Sequence, residues 1–390
     1  MHRRLSFSPP SLFTLLAFVA LLALPAVPPA SAQTAPIKIG ALGPLTGGAA
    51  VIGAGEVNGI KLRLKQLDYQ IAGRKVELIV EDDAGDPTTG LTKAQKLIER
   101  DGVDVFLGPL LSHVVLAVRD YVGQKGVPQL TFVAQPPEAA KHPTAFVPSW
   151  NAVQVGRIFG DYAVRKLGHK RALIVSSQYV FGTRVSDGFR EGFTKAGGTI
   201  VKEVYPPLGT PDFAPFLGGL PPADAVFSFF PGADAIKYVK ARQEYGLDKT
   251  PLLAIVSTVE GMLLPAQGDA ALGALAITHY LEDFTIAANR DFVNAYTQEY
   301  GKPPLGYYPA LGYTLVQILE DALKRTQGRS TPAELVDAIK RVDIQTPQGR
   351  FRFDPEKRFP IIDYYIVRVV KKDGKLTHEV VDTLKDVKPE

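Results

Sequence analysis

Along this chain, segments in which apolar residues are consecutive or alternate with polar ones take turns with segments in which they recur every three or four positions. Short apolar or alternating runs predict strands, and longer stretches with apolar residues three and four apart predict amphipathic helices. The first predicted elements are, in order, strand Ile37–Leu42, helix Gly55–Leu67, strand Val76–Val80, a helix opened by Asp86, strand Val105–Leu107, a helix at Ser112 and strand Gln129–Val133. Such alternation predicts an α/β fold with a doubly wound parallel sheet and right-handed crossovers.

The same rhythm starts again after the proline-rich stretch Gln135-Pro136-Pro137. Two consecutive units of this kind predict two lobes rather than one large sheet. The second unit has predicted helices at Val153–Leu167, Val185–Phe193, Phe213–Gly218 and Ala233–Tyr245, and predicted strands at Ala172–Val175, Thr199–Val204, Ala225–Phe229, Leu252–Val256 and Ala274–Thr278. A helix at Tyr308–Leu323 and strands near Arg350–Phe353 and Ile362–Val370 follow, and we expect this terminal piece to pack back on the lobes.

The N-terminus has the three parts of a secretory signal peptide. Arg3 and Arg4 give a basic start, Leu12–Val27 is an apolar stretch, and Ala30-Ser31-Ala32 supplies small residues before a cleavage site. We therefore expect residues 1–32 to be removed, and the mature chain to be an exported, soluble protein.

Charge and cysteine content narrow the function further. Removing Arg3 and Arg4 lowers the formal net charge of +4 by two, which brings the mature chain near neutrality. That balance argues against nucleic acid or an anionic membrane surface as the main partner. The chain has no cysteine, which excludes thiolate zinc sites, cysteine nucleophiles and a cysteine-linked lipid anchor.

The stretch from Val105 to Ser112 is the first candidate site. An apolar strand ends at Gly108-Pro109, and Ser112 stands where the N-cap of the next helix is expected. The free backbone N–H groups at such a helix start favour an anion, so a ligand carboxylate is a natural guest. The alternative is that Ser112 only caps its helix.

Motifs for other chemistry are missing. Residues 40–48 lack the glycine spacing of a dinucleotide site, and the acidic run from Glu81 to Asp86 lacks the spacing of a calcium loop. No serine-hydrolase elbow and no metal-binding histidine pair occurs, and His113 is by default a surface residue of its helix. We therefore expect no cofactor, no metal and no enzyme activity.

Other strand ends point at the same crevice, because ligands bind beyond the carboxyl ends of parallel strands. These ends are residues 131–135 in the first unit and residues 178–182 and 227–232 in the second. Phe181 and Phe230 lie there, where stacking on a ligand and packing in the core are equally plausible roles. Phe227 and Phe229 share a face and are expected to pack under a helix.

Several of these pieces occur together in a known order. The set is Ile37-Lys38-Ile39-Gly40, Pro44-Leu45-Thr46-Gly47, Glu81-Asp82-Asp83, Asp86-Pro87, Leu107-Gly108-Pro109 and Gly232-Ala233-Asp234. Over essentially the whole mature chain it resembles the periplasmic leucine/isoleucine/valine-binding proteins, the receptors of branched-chain amino acid ABC importers. The resemblance implies two lobes joined by three crossing segments, placed near Trp150, His279 and Arg358. Lobe 1 would comprise 33–149 and 280–357, and lobe 2 would comprise 150–279 and 358–390.

The resemblance also implies a binding site between the lobes. Ser112 and the backbone at Val133, Ala134 and Gln135 would hold a ligand carboxylate. The body of the ligand would be surrounded by Ile52, Phe181, Phe230 and Thr258.

This sequence departs from the amino-acid binders at three places. Gln135 stands where a threonine is common, and Phe181 where a tyrosine is usual. The acidic residue that meets the ligand ammonium is displaced, the nearest being Glu260. A buried ammonium without a carboxylate partner would cost several kcal/mol.

These departures favour a receptor that closes over a small aromatic or aliphatic carboxylate and delivers it to an inner-membrane permease. We expect it to act as a monomer. One alternative is a branched-chain amino acid receptor in which Glu260 or a water meets the ammonium. Others are a secreted α/β hydrolase and a ligand-sensing module of a signalling system.

Overall fold

The computed structural model describes His2 and residues 35–390. The proposed signal peptide therefore lies, apart from His2, outside the described residues. Within them no helix is both long and apolar enough to cross a membrane.

The first unit is a parallel sheet with helices between its strands. Its strands are β1 Ile37–Gly43, β2 Gln70–Ile71, β3 Arg74–Asp82, β4 Val105–Leu107, β5 Gln129–Leu130 and β6 Ala145–Phe146, and its helices are α1 Ala50–Gln66, α2 Pro87–Gln95 and α3 Ser112–Gln124. The sheet order is β2-β3-β1-β4-β5-β6, with only the β2–β3 pair antiparallel. Strand β4 is buried on both faces, which explains its continuous apolar run.

The second unit repeats this construction in the next part of the chain. It contains α4 Ala152–Arg165, β7 Arg171–Ser176, α5 Val180–Lys195, β8 Thr199–Val204, α6 Ala214–Leu217, β9 Ala225–Phe229, α7 Gly232–Glu244, β10 Leu252–Ile255, α8 Leu264–Gln267 and β11 Leu275–Thr278. These strands run parallel in the order β11-β10-β9-β7-β8. Strands β9, β10 and β11 are fully buried.

The C-terminal piece touches both units. It comprises α9 Ala287–Tyr300, α10 Tyr308–Arg325, α11 Pro332–Lys340, β12 Asp343–Thr346, β13 Gly349–Phe353, β14 Pro360–Lys372 and β15 Lys375–Val387. Helix α10 packs along α1 of the first unit. Strand β14 pairs antiparallel with β11, β13 and β15, and β13 pairs with β12, so these strands extend the second sheet. The predicted return of this piece is confirmed, although β15 was not anticipated.

Two predicted boundaries were wrong in ways that affect the site. The strand expected at Gln129–Val133 ends at Leu130, and residues 131–135 form an irregular segment. Helix α1 begins at Ala50, not Gly55, which brings Ile52 into its first turn. The α/β fold with two parallel-dominated sheets is as predicted.

The segments that cross between the sheets meet in an aromatic cluster. Trp150 follows β6, His279 follows β11 and Tyr364 lies in β14. The Trp150 ring lies 4.6 Å from the His279 ring and 5.8 Å from the Tyr364 ring, centroid to centroid. We call these three residues the hinge cluster. The residue bounds of the two lobes stay a prediction.

Candidate ligand-binding site

Ser112 is the first residue of α3 and not, as predicted, the N-cap that precedes it. The helix begins at Ser112 itself, and Leu111 is the N-cap, with extended backbone at φ −78° and ψ 130°. The Leu111 carbonyl accepts hydrogen bonds from Val114 and Val115, each at 2.9 Å. The expectation that Ser112 caps the helix was wrong, because a cap needs extended backbone and Leu111 supplies it. The Ser112 hydroxyl is therefore not used by its own helix.

A set of hydrogen-bond donors faces the end of β4. Among the described residues, the backbone N–H groups of Ser112, His113, Val133 and Ala134 have no hydrogen-bond partner, and neither has the Ser112 hydroxyl. Ser112 is only 2% exposed, so these donors are shielded from bulk water. We call this set the donor cradle. Such a group of donors at a helix N-terminus suits a carboxylate.

The cradle opens into a cavity of about 350 Å³, part of it open to solvent. The lining residues are Ile52, Leu110, Leu111, Ser112, Val133, Ala134, Tyr179, Phe181, Phe229, Pro231, Ser257, Tyr307 and Tyr308. Five predicted site residues are thus brought together: Ile52, Ser112, Val133, Ala134 and Phe181.

The position of the cavity follows from the strand order. In the first sheet the chain moves outward from β1 in both directions, and in the second sheet it does so from β7. These reversals leave crevices beyond the ends of β1 and β4, and beyond the ends of β7 and β9. Ser112 follows β4, Phe181 follows β7 and Pro231 follows β9, so the two crevices face the same cavity.

The second unit contributes an aromatic wall. The Phe181 and Phe229 ring centroids are 4.8 Å apart, and Tyr179 lies 5.9 Å from Phe229. Phe227 stacks on Phe189 at 4.1 Å, as expected of a core residue. Phe229 was expected to share that role but lines the cavity, because its strand ends there and the covering helix α5 begins beside it.

Phe230 and Thr258 do not line the cavity. Phe230 is fully buried and packs on Tyr238, with ring centroids 4.3 Å apart. Its backbone N–H donates to the Thr258 hydroxyl at 3.0 Å. The neighbouring residues Phe229 and Ser257 line the cavity instead. Phe229 is the last residue of β9, and Ser257 lies in the short 3-10 turn Val256–Thr258 that follows β10. A direct ligand contact by Phe230 or Thr258 stays a prediction.

Gln135 also lies outside the lining. Its side-chain amide donates to the Leu110 carbonyl at 2.8 Å, and its backbone carbonyl accepts from Ala152 at 3.0 Å. Gln135 therefore ties the loop before α3 to the start of α4. Its role as a ligand contact stays a prediction, and the contacts assign it to positioning the cradle.

His113 is half-buried rather than a free surface residue. Its Nε2 lies 2.9 Å from the Gly85 carbonyl, and its ring meets Tyr179 edge-on at 6.0 Å. This contact bridges the two units beside the cradle. It places Tyr179 near the start of α3.

Hydroxyl groups also line the cavity. The Ser257 and Tyr307 hydroxyls are 3.1 Å apart, and the Tyr307 and Tyr308 rings stack at 4.2 Å. The Tyr307 ring also lies 5.5 Å from the His279 ring of the hinge cluster. The sequence did not predict these residues at the site. Tyr307 immediately precedes α10, and only the packing of α10 on α1 brings it to the cavity.

No acidic or basic side chain is among the lining residues of this cavity in the described part of the chain. Glu260, the nearest acid in sequence, accepts a hydrogen bond from the Tyr307 backbone N–H at 2.9 Å. Burial, with the nearby charge of Glu282, raises the pKa of Glu260 well above the usual carboxyl range. Glu260 thus holds the turn before α10 and favours its neutral form.

An ion pair also joins the two units. Arg184 of α5 pairs with Glu138, at 2.5 Å between Nη2 and Oε1. A second cavity of about 760 Å³, part of it open to solvent, adjoins the first and shares Ile52, Leu111 and Pro231 with it. Both cavities are thus lined by residues of the two units.

The described residues offer no cluster of three or more His, Cys, Asp or Glu that could hold a metal ion. The chemistry available in the cavity is that of hydrogen bonding and aromatic contact. Binding of a small anion with an apolar body is what this set of groups can perform.

Comparison with known proteins gives matches along most of the chain. Residues 36–375 match the family model described as periplasmic binding protein. Over 345 residues the chain is 28% identical to "Leu/Ile/Val-binding protein homolog 6" of Brucella melitensis, covering 86% of this chain and 88% of that protein.

Two solved structures with the same fold have higher sequence identity to this chain. An ABC transporter substrate-binding protein from Sphaerobacter thermophilus is 35% identical, with a TM-score of 0.83, covering 90% of this chain and 99% of that one. A solute-binding protein of an ABC transporter from Rhodopseudomonas palustris, solved in complex with 3,4-dihydroxybenzoic acid, is 34% identical with a TM-score of 0.83. The match covers 90% of this chain and 98% of the Rhodopseudomonas protein.

Proposed function

This chain belongs to the periplasmic binding protein family, and from that premise we propose that it is the receptor of an ABC importer for a small aromatic carboxylate. The ligand binds in the cavity between the two units and is passed to a permease of the inner membrane. The predicted signal peptide supports a periplasmic location.

The observation that carries this proposal is the donor cradle joined to an aromatic wall. The cradle offers one hydroxyl and four backbone N–H groups to an anion, with no competing partner among the described residues. Phe181 and Phe229 offer ring faces and edges to the body of the ligand. Aromatic pairs gain from offset or edge-on contact in addition to the area they bury.

A branched-chain amino acid receptor is the second candidate, favoured by the name of the Brucella relative. An amino acid would bring an ammonium group into a cavity lined by no acidic side chain. Glu260 is held by the Tyr307 backbone and is not among the lining residues. An unpaired buried charge costs several kcal/mol, which favours a ligand without an amine.

An aromatic ligand is supported further by the Rhodopseudomonas structure, whose bound molecule is an aromatic acid. A hydrolase is disfavoured by the surroundings of the two lining serines. Within the described residues, Ser112 has no hydrogen-bond partner and Ser257 is bonded to Tyr307, so neither hydroxyl is paired with a histidine base. Nucleophilic catalysis by serine needs such a base.

Closure follows from the distribution of these groups. The cradle belongs to the first unit and the aromatic wall to the second, so one ligand touches both. A ligand that contacts both units only in the closed form shifts the population toward that form.

A thermal-shift screen tests the proposal. Benzoate-type acids, aliphatic acids and the twenty amino acids are compared at equal concentration with the mature protein. At about 100-fold excess over Kd, a ligand stabilises by about 2.7 kcal/mol, which corresponds to a shift on the order of 5 °C. Aromatic acids should give this shift and leucine should not. A shift with leucine, isoleucine or valine and none with aromatic acids would establish the second candidate instead.

A further inference from the structure

The Ser257–Tyr307 hydroxyl pair is a second polar feature of the cavity, separate from the donor cradle. Both hydroxyls belong to lining residues, and their oxygens are 3.1 Å apart. Each hydroxyl has one hydrogen to donate and lone pairs to accept. The hydroxyl of Tyr308, also a lining residue, lies close enough to interact with both. Three hydroxyls joined by two hydrogen bonds still leave one hydrogen and several lone pairs, so the group keeps both donor and acceptor capacity for a ligand.

The pair is held in a fixed position. Tyr307 packs between the His279 ring at 5.5 Å and the Tyr308 ring at 4.2 Å. Its backbone N–H donates to Glu260 at 2.9 Å, and the preceding Gly306 N–H donates to Glu282 at 2.7 Å. A group fixed by its neighbours on several sides loses little freedom when it binds a ligand.

A buried carboxyl lies close to the pair. Glu56 of α1 is fully buried, and neither of its oxygens has a hydrogen-bond partner within the described residues. It lies near enough to Tyr307 to interact with that hydroxyl electrostatically, and burial raises the pKa of Glu56 well above its usual range. A neutral acid can donate a hydrogen bond as well as accept one. The surroundings of Tyr307 are therefore more polar than the aromatic wall.

We propose that the Ser257–Tyr307 pair recognises a hydroxyl group on the ring of the ligand, so that the receptor prefers hydroxylated aromatic carboxylates to unsubstituted ones. This inference rests on the proposed function. The carboxylate occupies the cradle, the ring lies on Phe181 and Phe229, and the ring hydroxyl exchanges hydrogen bonds with the pair. A pocket built to bind a hydroxyl discriminates against the analogue that lacks it.

Tyr179 provides an internal contrast. Its hydroxyl also belongs to a lining residue and has no hydrogen-bond partner among the described residues, but its ring contacts His113 beside the cradle. The Tyr179 hydroxyl also lies near enough to that of Tyr307 to interact with it electrostatically. We infer from the ring contact that Tyr179 acts at the carboxylate end, so its loss should weaken all aromatic acids equally, whereas loss of the Ser257–Tyr307 pair should weaken only hydroxylated ones.

Titration calorimetry with benzoate, 3-hydroxybenzoate and 4-hydroxybenzoate tests the inference. The proteins are wild type, Ser257→Ala, Tyr307→Phe and Tyr179→Phe. Tyr296→Phe serves as control, since it removes the hydroxyl of a buried tyrosine that neither lines the cavity nor belongs to the hinge cluster. Wild type should bind at least one hydroxybenzoate about tenfold more tightly than benzoate. In Ser257→Ala and Tyr307→Phe this ratio should fall toward one while benzoate affinity is retained, and in the other two variants the ratio should persist.

Two results would overturn the inference and leave the proposed function intact. One is equal binding of all three acids by wild type, and the other is an unchanged ratio in both Ser257→Ala and Tyr307→Phe. Binding of none of the three acids to wild type would instead overturn the proposed function and this inference with it. Ser257→Ala removes only one oxygen, so it provides the comparison if Tyr307→Phe does not fold.

Discussion

The two walls of the cleft offer a ligand different kinds of contact. The first unit presents backbone N–H groups and the Ser112 hydroxyl at the start of α3, whereas the second presents the rings of Phe181 and Phe229. Backbone donors depend on the path of the chain and persist through most side-chain changes. Ring contacts depend on residue identity. We infer from this comparison that the fold of the first wall binds the anion, and that side chains of the second wall select the shape of the ligand.

The largest effect is expected from a negative charge placed in the cradle. Ala134→Asp would put a carboxylate among the donors, where it competes for them and repels an acid ligand at short range. We expect affinity for aromatic acids to fall by at least about 100-fold, or about 2.7 kcal/mol, in titration calorimetry. Ala134→Asn introduces a side chain of nearly the same size as aspartate but without its charge, so this variant should lose much less affinity. Equal losses in the two variants would show that size, not charge, governs this wall.

Removing one side-chain donor should have a smaller effect. Ser112→Ala deletes the hydroxyl and leaves four backbone N–H groups in place, so we expect a loss of about 1.5–3 kcal/mol, the range for hydrogen bonds to charged groups. Ser186→Ala is the matched control, because Ser186 is a buried serine bonded to a carbonyl of its own helix at 2.7 Å. Calorimetric affinity equal to wild type in Ser112→Ala would remove Ser112 from the site.

The smallest effect concerns stability where the two walls meet, at the hinge cluster. Burial lowers the pKa of His279 to about 3, so the folded protein keeps this ring neutral while the unfolded chain protonates it near 6.5. The unfolded state then binds more protons, and stability falls as pH drops from 6.5 toward 3. On acidification from pH 6.5 to 5, the protonation of His279 in the unfolded chain lowers the free energy of unfolding by about 1.5 kcal/mol.

Denaturant unfolding of His279→Gln over that pH range measures the contribution. The variant should lose less stability on acidification than wild type, since glutamine does not titrate. Carboxyl groups titrate in both proteins, so the difference between the two slopes isolates His279. Identical slopes would show that the His279 ring is hydrated in the folded protein.

The sequence located the first wall better than the second. Ser112 and residues 131–135 were placed at the cavity because the carboxyl ends of parallel strands meet at one edge, and the resemblance to the leucine/isoleucine/valine-binding proteins then singled out Val133 and Ala134. The N-cap was misplaced by one residue because Ser112 and Leu111 differ in backbone conformation, which composition does not reveal. Gln135 was placed at the ligand, yet its side chain bonds to the Leu110 carbonyl.

The second wall depends on facts that appear only in three dimensions. Phe229 lines the cavity where Phe230 does not, because β9 ends between them, and Ser257 lines it where Thr258 does not, because a 3-10 turn follows β10. On the side of the first unit, Tyr307 and Tyr308 reach the cavity through the packing of α10 on α1, which no local pattern specifies. Strand β15 was missed because it is an edge strand with polar residues on both faces.

The most direct test of the account is an experimental structure of the mature protein with 4-hydroxybenzoate bound. The account predicts the carboxylate within hydrogen-bond distance of the Ser112 hydroxyl and the backbone N–H groups of the cradle, with the ring against Phe181 and Phe229. A carboxylate bound at Ser257 and Tyr307, or a ligand outside this cavity, would contradict it.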